Sequence, residues 1–275
     1  MSMGVCCVKG FQWEGKPEGR TTKIAGGRFD TYVAGNNPDA AVLIIHDIYG
    51  WTRVNARLMA DHYAREANVT AFVPDFFDGG VIKREDYPEL THEEFFAKHL
   101  LPFLAIHSRE VCEPRVFAVA RALRRELGFP KVAAMGFCFG GWAAMRLGAK
   151  PENQPADVDV DDNNNTKAQP IKGPLVDAIA TAHPSLVTKQ DIDQIVVPTL
   201  VLAPEIDNLY TPELKQYTLE TLPKNGVALD YLHFPGIVHG ALIRGDQIEV
   251  SDRLALVRSN AATINFFKTN LDQFE

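Results

Sequence analysis

The chain has 275 residues, 46% of them hydrophobic and 23% charged, so it is long enough to bury a full core as one domain. Its net charge of −7 argues against nucleic acid or an anionic membrane as partner, and no run approaches the roughly 18 apolar residues of a membrane span. No secretory signal is visible, which predicts a cytoplasmic protein with free thiols rather than a disulfide framework.

Short apolar runs alternate with helical patterns along the whole chain. This alternation predicts an α/β fold in which a doubly wound, mostly parallel sheet carries helices on both faces, as a single domain over residues 1–275. The segment 81–108 is irregular and rich in aromatic residues, which favours a cap or pocket wall. The predicted strands are 28–33, 40–45, 70–74, 131–134, 176–182, 196–203 and 227–234, and the predicted helices are 55–66, 109–127, 142–147, 212–222 and 251–271.

The acidic stretch within residues 151–170 has the spacing of a calcium loop only in part. With Asp157 in the first position, the sixth is Asp162 where glycine is needed and the twelfth is Ala168 where glutamate is needed. We therefore expect a solvated surface loop. The adjacent Cys6 and Cys7 suit neither zinc nor a strain-free disulfide, so packing is their simplest interpretation.

A motif typical of a nucleophile elbow lies between the predicted strand 131–134 and the predicted helix 142–147. It reads Gly136-Phe137-Cys138-Phe139-Gly140-Gly141, with a thiol at the apex where most such turns carry a hydroxyl. The glycines suit a tight turn that has no room for neighbouring side chains. The alternative is that Cys138 is a small buried hydrophobic residue, as Cys112 is expected to be in its helix.

Two further residues follow predicted strands and complete a possible triad. Asp207 comes after strand 196–203 and His239 after strand 227–234, so the order is nucleophile, acid, histidine, as in α/β hydrolases. His239 would take the proton of Cys138 and Asp207 would orient the imidazole, because a free thiol of pKa about 8.5 is mostly protonated at neutral pH. Taken singly, Asp207 also fits a helix N-cap or turn, and His239 an exposed loop.

The oxyanion of an acyl-transfer intermediate needs two backbone donors. The residue after the nucleophile, Phe139, would supply one N–H group. The loop after strand 40–45 would supply the other, and Ile48 is the candidate.

Five stretches of the chain resemble the dienelactone hydrolase family, also called carboxymethylenebutenolidases. The resemblance implies an α/β-hydrolase fold, the triad Cys138, Asp207 and His239, and the donors Ile48 and Phe139, and residues 6–11 and 15–19 further resemble fungal members. The matching stretches are 46–51, 73–77, 136–141, 183–185 and 239–240.

The family resemblance also implies roles for three residues around the triad. Asp47 stands where bacterial members carry a longer glutamate that helps to generate the thiolate. Arg244 is the candidate for binding a substrate carboxylate, one residue further from the histidine than in bacterial relatives, although a solvated surface arginine is the alternative. Trp51, at the end of the same matching stretch as Asp47, is a second candidate for substrate contact.

These features predict a hydrolase without metal or other cofactor that opens a dienelactone-like lactone or cleaves a small ester through an acyl-enzyme. A broad thiol esterase is one alternative, and a non-catalytic protein that uses Cys138 as a redox sensor is another. The eight histidines show no helical metal-ligand spacing. The sequence leaves open whether the protein is a monomer or a homodimer.

Overall fold

A computed structural model of the protein describes residues 10–82, 86–155, 171 and 173–272. Cys6, Cys7 and residues 156–170 of the acidic stretch lie outside these residues. Within the described part of the chain, no helix is both long and apolar enough to span a bilayer.

The eight described strands, numbered in chain order from β1 (Arg20–Ile24) to β8 (Leu229–Val238), form one sheet in the order β1-β2-β4-β3-β5-β6-β7-β8. The six strands from β4 to β8 in this order are parallel, and β1 and β2 add an antiparallel edge. The predicted mostly parallel sheet is therefore confirmed. The strands are β1 (Arg20–Ile24), β2 (Phe29–Ala34), β3 (Ala40–Ile45), β4 (Thr70–Pro74), β5 (Lys131–Phe137), β6 (Ala178–Ala182), β7 (Thr199–Ile206) and β8 (Leu229–Val238).

Helices cover both faces of the sheet, as strands buried on both faces require. Alternate side chains of β3 enter opposite cores: Leu43 and Ile45 pack in the core that includes helices 109–125 and 140–147, whereas Val42 and Ile44 pack in the core that includes helices 54–67 and 250–270. The helices are α1 (Val54–Ala67), α2 (His92–Phe95), α3 (Leu101–Ile106), α4 (Arg109–Arg125), α5 (Gly140–Leu147), α6 (Lys189–Asp193), α7 (Pro212–Lys224), α8 (Ala241–Arg244) and α9 (Val250–Asn270).

The irregular segment 81–108 is largely helical in its described part. A π-helical turn, Phe96–Leu100, joins α2 to α3, and this wider turn breaks the 3.6-residue periodicity that would have indicated a helix. Phe103 of α3 packs edge to face on Phe77, with ring centroids 5.0 Å apart. Phe77 in turn contacts Phe139 with ring centroids 5.1 Å apart, so Phe77 lies between this segment and the turn that follows Cys138.

Strand register brings the ends of the parallel strands to one edge of the sheet. Ile45 of β3 pairs with Gly136 of β5, which places the loop after β3 beside the turn after β5. Strand β8 runs past the predicted end at residue 234, and a register irregularity between Pro204 and Ile206 accommodates it beside β7. Asp207 and His239 follow these two strands directly.

Candidate active site

The turn between β5 and α5 holds Cys138 in a left-handed conformation, with φ of +49°. Such a conformation is unfavourable for a residue with a Cβ and persists only where the surroundings enforce it. Three backbone hydrogen bonds do so here. The Cys138 N–H donates to the Ala182 carbonyl at 3.1 Å, and the Cys138 carbonyl accepts from the N–H groups of Gly141 and Ser185, each at 2.9 Å.

The glycines of the elbow are required by close backbone approach. A Cβ added to Gly140 would lie 2.1 Å from the carbonyl oxygen of Ile45, and one added to Gly136 would lie 2.3 Å from the carbonyl oxygen of Gly140. Both separations are far inside van der Waals contact. The elbow predicted from the sequence is thus present, and its glycines let α5 begin directly against β3 and β5.

The side chains of Cys138, His239 and Asp207 form a continuous buried chain. His239 Nε2 lies 3.0 Å from Cys138 Sγ, and His239 Nδ1 lies 2.9 Å from Asp207 Oδ2. Their exposed fractions are 3%, 1% and 5%, respectively. His239 is therefore not the exposed loop histidine of the alternative interpretation, and the structure brings together the three residues that the sequence singled out.

Asp207 is fixed by its own loop as well as by the histidine. Its Oδ1 accepts hydrogen bonds from the N–H groups of Leu209 at 2.9 Å and Tyr210 at 3.0 Å. Asp207 is thus a turn residue, as one interpretation of the sequence suggested, and its second oxygen, Oδ2, is the one that contacts the imidazole. The N–H of His239 donates to the Ile206 carbonyl at 2.9 Å, which ties the two loops together.

The electrostatics of this group favour the imidazolium form of His239. Burial by itself would lower the pKa of His239, but the neighbouring Cys138 thiolate and the hydrogen bond with Asp207 raise it to about 10. A positive imidazole beside the sulfur stabilises a thiolate, which is the nucleophilic form of cysteine. The arrangement is thus suited to a thiolate–imidazolium pair.

The two proposed oxyanion donors lie on separate loops, one after β3 and one directly after Cys138. Ile48 follows β3, and its loop is held by hydrogen bonds from Ile82 N–H to the Ile48 carbonyl and from Gly50 N–H to the Asp47 carbonyl, each 3.1 Å. Phe139 immediately precedes α5. Within the described residues, neither Ile48 nor Phe139 uses its N–H in a hydrogen bond with another backbone group.

Asp47 and Arg244 form a buried ion pair beside the triad. Arg244 Nε lies 2.8 Å from Asp47 Oδ2, and the two side chains are 1% and 4% exposed. The guanidinium stacks on the ring of Tyr49, 4.7 Å from its centroid. Asp47 Oδ1 also accepts a hydrogen bond from Tyr49 N–H at 3.0 Å. The alternative of a solvated surface arginine is therefore wrong, because the ion pair and Tyr49 take this side chain into the protein.

Trp51 is half-buried and packs toward α1. The guanidinium of Arg57 lies 4.8 Å from the Trp51 ring and donates to the Trp51 carbonyl at 3.2 Å. Within the described part of the chain, no hydrogen bond or ring contact joins Trp51 to Cys138 or His239. Its role in substrate contact stays a prediction.

Two residues of the site were not assigned a role from the sequence, although both lie in the matching stretch 183–185. Ser185 Oγ is 3.9 Å from Cys138 Sγ and is buried. His183 is fully buried with φ of +39°, and its ring packs edge to face on the ring of His239 at 4.9 Å. Burial, together with the charges of His239 and Arg244, holds the pKa of His183 well below its usual value, so this histidine is neutral at neutral pH.

Cys112 differs from Cys138 in its contacts: its Sγ lies 3.7 Å from the Phe76 carbonyl oxygen, whereas Cys138 Sγ lies 3.0 Å from the imidazole of His239. It is fully buried on α4, as expected, and burial raises the pKa of its thiol to about 11. It is therefore a protonated packing residue at neutral pH. Across the described residues, no group of three or more His, Cys, Asp or Glu side chains is arranged to hold a metal ion.

The chain is similar to a known protein family and to two fungal hydrolases. The model of the dienelactone hydrolase family matches residues 29–159 and 167–271. Hydrolase pyvD of Aspergillus violaceofuscus is 26% identical over 97% of this chain and 96% of its own length. Hydrolase tropI of Talaromyces stipitatus is 25% identical over 95% of this chain and 94% of its own length.

Solved structures of similar fold agree with this relationship. A dienelactone hydrolase from Anabaena variabilis superimposes with a TM-score of 0.59 at 14% identity, covering 93% of this chain and 99% of its own. A dienelactone hydrolase-like promiscuous phosphotriesterase from metagenomic libraries superimposes with a TM-score of 0.57 at 21% identity, covering 91% of this chain and 97% of its own. At such identities these structures establish the α/β-hydrolase fold. The family match over residues 29–159 and 167–271 shows that the chain belongs to the dienelactone hydrolase family and is a hydrolase acting on ester or lactone bonds.

Proposed function

We propose that the protein is a cysteine-dependent hydrolase that opens a dienelactone-like lactone or cleaves a small ester through an acyl-enzyme. The observation that carries the proposal is the buried chain from Cys138 Sγ through His239 to Asp207, with contacts of 3.0 and 2.9 Å. These contacts support the proposal, because acyl transfer by a thiol needs a base within hydrogen-bond distance of the nucleophile and an acid that orients the base.

In the first half of the reaction, the Cys138 thiolate attacks the carbonyl carbon and forms a C–S bond. The carbonyl oxygen gains the electron pair of the broken π bond, and the N–H groups of Ile48 and Phe139 stabilise this oxyanion. When the tetrahedral intermediate collapses, the C–O bond to the leaving group breaks. The His239 imidazolium donates its proton to the departing alkoxide or enolate oxygen. In a lactone this oxygen stays on the acyl chain.

In the second half, water replaces the leaving group. Neutral His239 removes a proton from the water as it attacks the thioester carbon, and the second tetrahedral intermediate expels the Cys138 thiolate. The products are a carboxylic acid and an alcohol or its keto tautomer, and the thiolate–imidazolium pair is restored. Asp207 keeps the imidazole in the same orientation through both halves, because its Oδ2 stays on Nδ1.

Steady-state hydrolysis of a dienelactone and of acyclic esters tests the proposal, with Cys138→Ala and Cys112→Ala as matched variants. We expect turnover by the wild type, no turnover above background in Cys138→Ala, and wild-type rates in Cys112→Ala, whose thiol lies in the core. Preference for acyclic esters over lactones would identify the broad thiol esterase. Undiminished rates in Cys138→Ala would contradict the proposal.

A further inference from the structure

Helix α8 is a single turn of four residues that begins two residues after His239. The N–H groups of Ile243 and Arg244 donate to the Gly240 carbonyl at 3.2 and 2.9 Å, and Gly240 is the residue next to the histidine. One helical turn does not hold itself together in water, because fixing its backbone costs more than its few hydrogen bonds return. The position of α8, and with it the downstream side of the histidine loop, therefore depends on contacts with the rest of the chain.

The carbonyls at the C-terminal end of α8 are capped by two segments that are distant in sequence. The carbonyls of residues 243–245 accept, in this order, from Asn55 Nδ2 at 2.8 Å, from the Phe11 N–H at 2.8 Å and from Trp13 Nε1 at 3.0 Å. Such terminal carbonyls lack partners within a helix. Three consecutive caps thus fix the helix at the end that lies away from His239.

The side chain of Asn55 joins three parts of the protein at this point. Asn55 is the second residue of α1 and is fully buried. Besides its bond to α8, its Nδ2 donates to the Phe11 carbonyl at 2.9 Å, and its Oδ1 accepts from the Trp13 N–H at 3.0 Å. Because α1 follows the loop that carries Ile48, this one amide ties the N-terminal segment and the oxyanion loop to the histidine loop.

The N-terminal segment 10–19 follows one face of α1 beyond this amide. A Cβ added to Gly15 would lie 2.9 Å from a methyl carbon of Leu58, and the Glu18 N–H donates to Asp61 Oδ2 at 2.9 Å. The contacts on α1 are three residues apart and so share one side of the helix. The segment is therefore fixed along its length and gives α8 a rigid support.

We infer that Asn55 and Trp13 are positioning residues for His239. By fixing α8 they keep the imidazole within hydrogen-bond distance of Cys138 Sγ, at the observed 3.0 Å. The upstream side of the histidine is held separately, by the bond from its N–H to the Ile206 carbonyl at 2.9 Å. The histidine loop thus has an anchor on each side. This inference rests on the proposed function and adds to it two residues that lie outside the triad.

Two variants remove these caps with little change in shape. Asn55→Leu keeps the volume of the side chain and removes its three hydrogen bonds without adding a charge. Trp13→Phe keeps an aromatic ring in the core and removes only the donor to the Gly245 carbonyl.

The control variant is Asp177→Ala, which breaks a comparable tie at the opposite edge of the sheet. Asp177 Oδ2 accepts from Arg124 Nη2 and from the Val132 N–H, each at 2.8 Å, near the start of β5. Its loss should lower the stability of the fold without moving the residues that follow the carboxyl ends of the strands.

Two rates are measured under conditions in which near-UV circular dichroism shows each variant to be folded. The first is kcat/KM for para-nitrophenyl acetate. The second is the rate of Cys138 alkylation by iodoacetamide at about pH 7, divided by the rate at about pH 9, where a free thiol of pKa about 8.5 is mostly ionised. Access to the sulfur cancels in this ratio, which therefore reports how strongly the imidazolium stabilises the thiolate.

Both kcat/KM and the alkylation ratio should fall at least about tenfold in Asn55→Leu, since a misplacement of about 1 Å can cost about 100-fold in rate. Trp13→Phe, which removes one of the caps, should lower both by about two- to fivefold. Asp177→Ala should keep the wild-type values. An unchanged alkylation ratio in folded Asn55→Leu, or an equal loss in Asp177→Ala, would overturn the inference. If Asn55→Leu does not fold, an unchanged ratio in Trp13→Phe would overturn it.

Failure of the inference and failure of the proposed function are distinguishable, because alkylation needs no substrate. Ester turnover that survives in Cys138→Ala contradicts the proposed function. Turnover that is lost in Cys138→Ala, together with alkylation ratios that are unchanged in Asn55→Leu and Trp13→Phe, contradicts the inference alone.

Discussion

His239 Nε2 and Cys138 Sγ lie 3.0 Å apart, although their strands β8 and β5 are separated in the sheet by β6 and β7. Strands β7 and β8 end together at the paired residues Ile206 and Val238, and the loop after β8 turns so that His239 reaches Cys138. The hydrogen bond from His239 N–H to the Ile206 carbonyl fixes that turn.

Asp207→Asn should lower kcat/KM and narrow the pH range over which the protein is active. The carboxylate raises the pKa of His239, so its loss should move the alkaline limb of the kcat/KM profile from near pH 10 to lower pH. In comparable triads, loss of this orienting charge costs about 10⁴-fold in rate. Profiles of wild type and variant against pH check this, and coincident alkaline limbs would contradict the assignment of Asp207.

The raised pKa of His239 also links stability to pH. A group whose pKa is higher in the folded protein than in the unfolded chain stabilises the fold fully below its unfolded value, about 6.5. That stabilisation is lost progressively as the pH rises toward about 10. The free energy of unfolding of the wild type, measured by urea denaturation across this range, should therefore fall more steeply than that of His239→Gln. If the free energies of unfolding of the wild type and His239→Gln changed with pH in parallel, the pKa of His239 would not be raised in the folded protein.

Ser185→Ala should reduce kcat/KM by about two- to tenfold, the range of one modest hydrogen bond. The hydroxyl lies 3.9 Å from Cys138 Sγ, while the backbone bond from Ser185 N–H to the Cys138 carbonyl is unaffected by the change. Because the effect would act through the thiolate, alkylation of Cys138 by iodoacetamide should slow as well. Ser185→Thr, which keeps the hydroxyl, should recover both rates, and an unchanged alkylation rate in Ser185→Ala would exclude this role.

Arg109→Ala should destabilise the fold by about 3 kcal/mol, because it leaves the buried carboxylate of Asp191 without its cation. Arg109 Nη1 and Nη2 donate to the two carboxylate oxygens at 2.8 and 2.7 Å, and Nη1 also donates to the Leu186 carbonyl at 2.7 Å. The interaction thus holds the segment that follows Ser185. The free energy of unfolding of Arg109→Lys should lie between those of the wild type and Arg109→Ala, since an ammonium cannot reproduce the two paired hydrogen bonds of the guanidinium.

A matched surface pair provides the control for this stability measurement. Lys189 and Glu213 are 2.6 Å apart, but their side chains are 49% and 75% exposed. Lys189→Ala should therefore change the free energy of unfolding far less than Arg109→Ala does. Equal losses in Arg109→Ala and Lys189→Ala, measured by chemical denaturation, would show that the buried pair does not stabilise the fold.

The sequence predicted the sheet and the triad because both depend on local patterns. Apolar runs mark the central strands, and the residues at the ends of parallel strands meet at one edge whatever lies between them. Thus Cys138, Asp207 and His239 were identified without knowledge of their contacts. The edge strand β1 is polar and mostly exposed, so no apolar run indicates it. The π-helical turn at Phe96–Leu100 interrupts the 3.6-residue periodicity, so the surrounding segment was not predicted as helical.

Side-chain partners across the fold were beyond the reach of sequence patterns. Arg244 was placed near the site by resemblance, but nothing in its neighbours indicated that Asp47 would neutralise it and Tyr49 would cover it. His183 likewise follows a predicted strand, yet its positive φ and its contact with His239 depend on how two loops meet. These are properties of packing, in which distant residues decide the environment of each group.

The most direct test of the account is to trap the acyl-enzyme. Wild-type protein is mixed with a chromogenic ester in a stopped-flow instrument, quenched in acid and analysed by intact mass and peptide mapping. The account predicts a burst of leaving group stoichiometric with enzyme and an acyl group on Cys138. It also predicts that the burst and the adduct are absent in Cys138→Ala and retained in Cys112→Ala. An acyl group on another residue, or turnover with an unchanged burst in Cys138→Ala, would contradict it.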